Sequence, residues 1–316
     1  MFDSLILAMQ VVFPLCVLLV VGYVLKRWLK LADVTTKQLN QMVFKLFLPA
    51  LLFKNIYTSD LSSDFDIRVV IFAICAILLM YTGLCFAIPK IESDSRKCCV
   101  MIQGIYRSNY VLYGIPVTAA IFDEHHLGMA SVLAAIIIPM INILAVLLFE
   151  LFRDNGKMNW GHAGKGVLKN PLVIASVLGL IFVFLRIPVP ELAMESVSTL
   201  GSIATPLALI ALGADFHFSS VKTYRKQLWI TVTGKLVAVP VIMLTIAILL
   251  GFQGVNLVVL MVLFASPTAV ASYTMACSMG GDGELAGQIL VLTTLFSILT
   301  IFAFTFLLNS MGLIFV

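Results

Sequence analysis

Long apolar runs separated by short polar segments dominate this chain. Ten of the runs are long enough to be membrane-spanning helices, because a helix needs about 20 apolar residues to cross a hydrocarbon core of about 30 Å. They lie at approximately residues 4–25, 40–57, 67–89, 97–121, 128–152, 170–188, 192–214, 228–251, 255–279 and 285–312. The pattern predicts an all-α polytopic membrane protein with ten transmembrane helices. The first run lacks a basic start and a small-residue cleavage site, so we expect it to be retained as a span.

The composition supports an integral membrane protein. Hydrophobic residues make up 61% of the chain and charged residues 11%, and the mean hydropathy is +1.08. These values lie outside the range of soluble globular domains. No nucleophile elbow, phosphate-binding loop or His-Glu-x-x-His motif occurs, so we do not expect an enzyme. We expect no cofactor and no metal site, since the segment 123–126 reads as an exposed polar turn.

Lysine and arginine concentrate in alternate loops, which predicts that these loops are cytoplasmic. Both termini then lie on the non-cytoplasmic side of what we expect to be the plasma (inner) membrane. The net charge of +4 follows from this asymmetry and gives no reason to expect nucleic acid as a partner. The basic residues of the predicted cytoplasmic loops are Lys26, Arg27, Lys30, Lys37, Lys90, Arg96, Lys97, Arg153, Lys157, Lys165, Lys169, Lys222, Arg225 and Lys226.

Spacing along the chain indicates an internal duplication. The segment 48–53 is echoed by 205–210 at an offset of about 157 residues, and Pro116 and Pro267 are about 151 residues apart. Two halves of five spans each enter the membrane from opposite sides, which is the inverted repeat of secondary transporters. We therefore predict a first five-helix repeat over residues 1–152, a cytoplasmic connecting loop over 153–169 and a second repeat over 170–316.

Helix-breaking and hydrogen-bonding residues interrupt the fourth and ninth predicted spans, at 107–116 and 266–273. Proline removes a backbone donor, and irregular backbone at membrane depth is tolerated only where it is buried in protein or lines a cavity. Helix N-termini formed at such breaks attract anions. We therefore expect broken helices 4 and 9 to meet at an anion site. The alternative for either proline alone is a simple kink, and the pairing of the two favours the site.

The run Asn109-Tyr110-Val111-Leu112-Tyr113-Gly114-Ile115-Pro116 resembles the Asn-x-x-x-x-Gly-(apolar)-Pro signature of the auxin efflux carrier family. That family includes the plant PIN auxin exporters and many bacterial members. The segments 39–49, 169–172 and 204–214 are similar to the second span of the family, the start of its sixth span and its seventh span. The resemblance extends over roughly the whole chain.

That resemblance implies broken crossover helices 4 and 9 and an elevator mechanism. A transport domain of helices 3–5 and 8–10 would slide past a scaffold of helices 1, 2, 6 and 7, and elevator scaffolds often dimerise, so we expect a homodimer. The substrate implied is a small organic anion. Ser272 and Gly280 stand where the plant carriers have a proline and an asparagine, which favours a carboxylate or dicarboxylate over an auxin-like acid.

The resemblance also assigns roles at the crossover. Asn109 matches the crossover asparagine, whose amide would meet a carboxylate, Pro116 and Pro267 match the crossover prolines, and Asn142 falls where the PIN proteins carry a tyrosine near the site. With the polar residues of the two interrupted spans, the candidate substrate-binding residues are Arg107, Ser108, Asn109, Tyr110, Gly114, Pro116, Asn142, Lys235, Ser266, Pro267, Thr268, Ser272 and Tyr273.

Three basic residues within the spans have two interpretations each. Arg107 is placed either to pair with a substrate carboxylate or to anchor its span against a neighbouring carbonyl. Lys45 and Lys235 lie near cytoplasmic ends, where snorkelling to the interface is the first interpretation and a functional role the second. We rank Lys235 above Lys45 as a site residue.

The coupling ion stays open, because no carboxylate lies near the predicted midplane. Ser266, Thr268 and Ser272, with unwound carbonyls, could hold sodium as in the distantly similar bile acid:sodium symporters. A uniporter is equally compatible, since the membrane potential favours anion export by about 2.3 kcal/mol per charge per 100 mV. The hypotheses are a uniporter, a sodium- or proton-coupled symporter of the same fold, and a non-transporting membrane sensor of organic acids. Membrane lipids would surround all of them.

Overall fold

The computed structural model describes residues 2–59, 66–122, 128–152 and 160–314, and this part of the chain is helical without a strand. The prediction of an all-α protein is confirmed. The α-helices are α1 (Phe2–Trp28), α2 (Asp33–Met42), α3 (Leu48–Tyr57), α4 (Ile67–Ala87), α5 (Ser95–Tyr106), α6 (Tyr110–Ile121), α7 (Gly128–Phe152), α8 (Trp160–Lys169), α9 (Pro171–Phe184), α10 (Glu191–Asp215), α11 (Ser220–Thr223), α12 (Arg225–Thr233), α13 (Val239–Leu249), α14 (Gly254–Ala265), α15 (Val270–Ser278) and α16 (Gly283–Ser310).

Six helical stretches of the described residues are long and apolar enough to cross a membrane. They are Ile67–Lys90, Gly128–Phe152, Glu191–Asp215, Arg225–Leu249, Gly254–Ser278 and Gly283–Ser310, and Pro171–Phe184 is a shorter apolar helix. The predicted count of ten spans and their inverted repeat stay predictions. Within the connecting loop predicted at 153–169, residues 160–169 form α8. The segments 123–126 and 153–159 lie outside the described residues.

Two spans widen into a π-helical turn just before a proline. Val43–Phe47 joins α2 to α3 ahead of Pro49, and Gly234–Ala238 joins α12 to α13 ahead of Pro240. Proline has no amide hydrogen for the carbonyl four residues back and its ring crowds that carbonyl, so a wider turn relieves the clash. The two spans therefore stay continuous through their prolines.

Glycines let α1, α3, α9 and α10 pack with their backbones nearly touching. A Cβ atom on Gly22 of α1 would clash with the carbonyl oxygen of Ile210, and one on Gly213 of α10 would clash with that of Leu19. Gly201 of α10 packs in the same way, its Cβ position 2.9 Å from the Cα atom of Leu51 in α3. Small residues at helix contacts are the means by which membrane helices pack closely in lipid. These four helices correspond to the predicted spans 1, 2, 6 and 7.

The middle of the molecule is formed by helices buried on every side. On α14 the nine residues Leu257–Ala265 are all buried, and α7 is buried over most of its length. A helix that is apolar all round lies inside a larger protein or a membrane. The helix α6 packs between these central helices and α1, whereas α5 packs against α7 and α15 packs against α10.

Candidate functional site

Two breaks in the helices lie at the centre of the molecule and contact each other. Residues 107–109 separate α5 from α6, and residues 266–269 separate α14 from α15. The backbone N–H of Asn109 donates to the carbonyl oxygen of Pro267 at 2.9 Å. The hydroxyl of Thr268 donates to the carbonyl oxygen of Gly104 at 2.6 Å, which caps the end of α5. Each break therefore supplies a hydrogen-bond partner that the other needs.

The two prolines thought to cause the breaks have different positions. Pro267 lies inside the second break, whereas Pro116 lies in the continuous helix α6 with its ring exposed. The fourth span is therefore interrupted within the predicted segment 107–116, but at residues 107–109 and not at the proline. A proline costs its helix one hydrogen bond and does not by itself require unwinding. The break forms instead where Pro267 and Thr268 offer tertiary partners.

A small cavity of about 50 Å³ lies against both breaks. Four of the predicted site residues line it, namely Arg107, Ser108, Asn109 and Asn142, and residues 269–271 at the start of α15 form another wall. Aliphatic side chains of α3 and α7 close it, including Leu48, Leu52, Ile138 and Ile141. The cavity thus combines a polar wall from the first break with an apolar remainder.

Arg107 is the charged group of this cavity. Its side chain is 2% exposed; Nη2 donates to Oδ1 of Asn142 at 2.6 Å, and Nη1 contacts Sδ of Met275 at 2.8 Å. The Nε–H has no hydrogen-bond partner. None of the ion pairs among the described residues involves Arg107. A buried charge is costly unless it is paired, so an anionic group is the partner that this guanidinium lacks.

Three further polar groups of the cavity wall lack partners. They are Oγ of Ser108, Nδ2 of Asn109 and Nδ2 of Asn55, each buried without a hydrogen bond. Buried polar atoms are normally hydrogen-bonded, so several buried polar atoms without partners at one place need an explanation. The amide groups in their assigned orientation, the serine hydroxyl and the arginine Nε–H are all donors, and a carboxylate is an acceptor with two oxygens. The wall can therefore bind a carboxylate.

Helix N-termini add to this positive potential. The helix α6 begins at Tyr110, directly after two residues of the cavity wall, and α15 begins at Val270, which itself lines the cavity. The first N–H groups of a helix have no partner within it and carry a partial positive charge that favours anions. The cavity thus faces two such helix ends.

The remaining predicted residues near the second break lie outside the cavity wall. The hydroxyl of Ser266 donates to the carbonyl oxygen of Val262, and the hydroxyl of Thr268 donates to that of Gly104 in α5. Ser272 is buried and its hydroxyl has no partner, but it does not line the cavity. On the side of the first break, Gly114 is buried where a Cβ atom would lie 2.9 Å from the ring of Tyr110. The glycine therefore makes room for that ring.

The two lysines differ from each other. Lys45 is exposed, as snorkelling predicts, but Lys235 is 1% exposed and lies in the π-helical turn that packs against α5 and α16. Snorkelling to the interface is therefore wrong for Lys235. Lys235 does not line the cavity at the breaks, so the structure does not bring it to the other predicted site residues.

Tyr273 faces a separate polar cavity of about 470 Å³ at the end of the molecule that carries Lys26, Lys37 and Arg96. Its hydroxyl donates to Oδ2 of Asp215 at 3.1 Å and accepts from Nδ2 of Asn40 at 3.1 Å. Lys26 bridges Asp215 at 3.4 Å and Asp33 at 2.7 Å. The hydrogen bond and charge of the Lys26 ammonium lower the pKa of the Asp33 carboxyl below its ordinary value.

Asn55 and Thr205 line the cavity and were absent from the predicted site. Asn55 lies on the same face of its helix as Leu48 and Leu52, at helical spacings of seven and three residues. A lone amide in an apolar helix marks a candidate polar position, but the sequence does not tell toward which helices it turns. Thr205 lies in the segment 204–214, which the resemblance had matched to the seventh span without giving Thr205 a role.

Comparison with known proteins gives matches over nearly the whole chain. A family model described as a membrane transport protein matches residues 7–305. An uncharacterized transporter of Methanothermobacter thermautotrophicus is 26% identical over 298 residues, which cover 92% of this chain and 95% of the relative. An uncharacterized transporter of Methanocaldococcus jannaschii is 24% identical over 303 residues, which cover 93% of this chain and 96% of the relative.

Proposed function

The chain belongs to the membrane transport protein family, as its resemblance to the auxin efflux carriers predicted, and we propose that it is a secondary transporter of a small organic anion. The substrate class proposed is a carboxylate or dicarboxylate. The anionic group binds at Arg107, in the cavity between the two helical breaks.

One observation carries this proposal. A guanidinium that is 2% exposed has no acidic partner among the described residues, and its Nε–H and three neighbouring polar groups have no hydrogen-bond partner. A neutral substrate would leave the charge unpaired, and a cation would be repelled. An organic anion supplies both the charge and the acceptors.

The proposed mechanism is an elevator with alternating access in two inverted five-helix repeats, with the broken segments as its crossover helices. The site supports this because its wall comes from both groups of helices. The breaks belong to the proposed transport domain, and Leu48, Asn55 and Thr205 belong to the proposed scaffold. The close glycine packing among α1, α3, α9 and α10 supports a rigid scaffold, through which we propose that two copies form a homodimer in the plasma (inner) membrane. Both termini are proposed to be non-cytoplasmic.

The sodium-coupled hypothesis receives no specific support from the second break. The hydroxyls of Ser266 and Thr268 donate to helix carbonyls and keep their lone pairs, so these contacts favour neither the presence nor the absence of a sodium site. The negative interior of the cell drives an anion outward without a coupling ion, by about 2.3 kcal/mol per charge per 100 mV. We therefore propose an anion uniporter as the first form of the mechanism.

Charge movement in proteoliposomes on a solid-supported membrane tests the proposal. The purified protein is challenged with monocarboxylates, dicarboxylates, aromatic acids and indole acetate, with and without a sodium gradient. We expect currents from a subset of the acids that do not depend on sodium. Sodium-dependent currents would instead support the symporter, proton-dependent currents a proton-coupled carrier, and binding without any current the sensor.

A further inference from the structure

A cavity of about 140 Å³, called the second cavity below, lies beside the cavity at Arg107, which is called the anion cavity. Asn55 and Ile138 line both cavities, so their side chains form the boundary between the two. The other walls of the second cavity include Tyr110 at the start of α6, Thr58 and Ser59 at the end of α3, and Ser131 in α7. This cavity is therefore more polar than its position beside an apolar helix core requires.

The hydroxyl of Tyr110 is a hydrogen-bond donor without a partner in this second cavity. The side chain is 1% exposed and its hydroxyl has no hydrogen-bond partner. The hydroxyls of Thr58 and Ser59 donate to the carbonyl oxygens of Lys54 at 2.9 Å and Asn55 at 2.6 Å, so they have already used their protons. Buried tyrosine hydroxyls normally find a partner. The Tyr110 hydroxyl and the Asn55 amide nitrogen thus both lack a hydrogen-bond partner at this place.

The volumes of the two cavities differ in a way that fits one elongated ligand. A water molecule takes about 30 Å³ in the liquid, so the anion cavity has room for about two waters and the second cavity for about five. The first volume suits a carboxylate and little more. The remainder of a small acid would lie in the second cavity, which shares the wall residues Asn55 and Ile138 with the first.

We propose that the second cavity is a subsite for the far end of the substrate, where Tyr110 and Asn55 select acids that carry an oxygen acceptor at that end. The group recognised is a hydroxyl, an oxo group or a second carboxylate. This inference rests on the proposed function, since it assumes that a carboxylate occupies the cavity at Arg107. An acid with a purely aliphatic end leaves the two donors unpaired, and sites built to hydrogen-bond a substrate discriminate strongly against such analogues.

Binding of matched acids to the purified full chain tests the subsite. The three acids are butyrate, γ-hydroxybutyrate and succinate, which have backbones of four carbons and differ at the far end. Isothermal titration gives the three dissociation constants for each variant. We expect wild-type protein to bind γ-hydroxybutyrate and succinate at least about tenfold more tightly than butyrate.

The variant Tyr110→Phe removes one hydroxyl and keeps the ring. We expect it to raise the dissociation constants of γ-hydroxybutyrate and succinate by about tenfold and to leave that of butyrate unchanged. Tyr113→Phe is the matched control, because Tyr113 lies on the same helix with its hydroxyl 3.5 Å from Ser297 and lines neither cavity. Asn55→Ala is a second variant, expected to weaken the two oxygen-bearing acids more than butyrate.

Equal weakening of all three acids in Tyr110→Phe, or no weakening, overturns the subsite. A further outcome is that the acids bind wild-type protein with affinities that depend on Arg107 and do not change in Tyr110→Phe. In that case the subsite fails and the proposed function stands. If wild-type protein binds no acid at all, both fail together. A tenfold change restricted to the oxygen-bearing acids supports the subsite.

Discussion

The two helical breaks look alike in the sequence and differ in what their side chains do. In the first break, Arg107, Ser108 and Asn109 turn unpaired donors toward a cavity. In the second break, the hydroxyls of Ser266 and Thr268 donate to carbonyl oxygens at the ends of helices. On the function that we propose, the first break binds the ligand through side chains, whereas the second supports the structure and contributes backbone. Similar clusters of polar residues can thus have different roles at one site.

Loss of the charge in the first break is the strongest test of this difference. We expect Arg107→Gln to reduce anion-driven charge movement by about a hundredfold or more, since hydrogen bonds to a charged group contribute about 1.5–3 kcal/mol each. Arg107→Lys keeps the charge and loses the planar donor pair, so it should recover only part of the current. The control is Arg68→Gln, because Arg68 is an exposed arginine paired with Asp66. Wild-type currents in Arg107→Gln would remove the residue from the site.

Two variants that each remove one hydroxyl, with opposite expected effects, test this division of roles. Thr268→Val leaves the carbonyl oxygen of Gly104 without its partner, which costs about 1–3 kcal/mol for a buried group. We expect a lower melting temperature of the detergent-solubilised protein and little change in anion affinity. Ser108→Ala removes a hydroxyl without a partner, so we expect the opposite, with an unchanged melting temperature and weaker anion binding. Both measurements on both variants are needed, and the same pattern in the two would contradict the division of roles.

The two prolines provide the smallest expected effects. Pro116→Ala should leave initial transport rates within about twofold of wild type, because α6 is already continuous through this position. Pro267→Ala should slow transport several-fold, since an alanine N–H can bond to the carbonyl of Leu263 and extend α14 into the break. Initial rates of charge movement under identical gradients give the comparison. A larger effect at Pro116 than at Pro267 would mean that α6 itself changes shape during transport.

The sequence predicted the span at 128–152 and an interruption within 107–116, but it did not predict which residues of that segment unwind. The predicted span 128–152 coincides with α7, because runs of apolar residues report directly on burial in a membrane. The break at 107–109 depends on Pro267 and Thr268, which are distant in the sequence, and no local signal separates it from the proline at 116. Likewise the contact of Arg107 with Asn142 joins residues of two spans, and only the fold brings them together.

The membership of Asn55 in the site was missed for a related reason. Its amide is one polar group in an apolar helix, and the sequence does not tell which face of that helix turns toward the breaks. The helix α8 was missed because the basic, glycine-containing segment from which it is formed has the composition of a loop. In both cases the deciding contacts are tertiary.

The contact of α1 with α10 through Gly22 and Gly213 has a mechanical consequence. Only a residue without a Cβ fits opposite Ile210 or Leu19, so sliding or rotating either helix along the other would bring a side chain against the facing main chain. The two helices therefore move in the lipid bilayer as one rigid body. Membrane helices adjust to bilayer thickness by tilting. In a thinner or thicker bilayer we therefore expect α1 and α10 to lean together by the same angle.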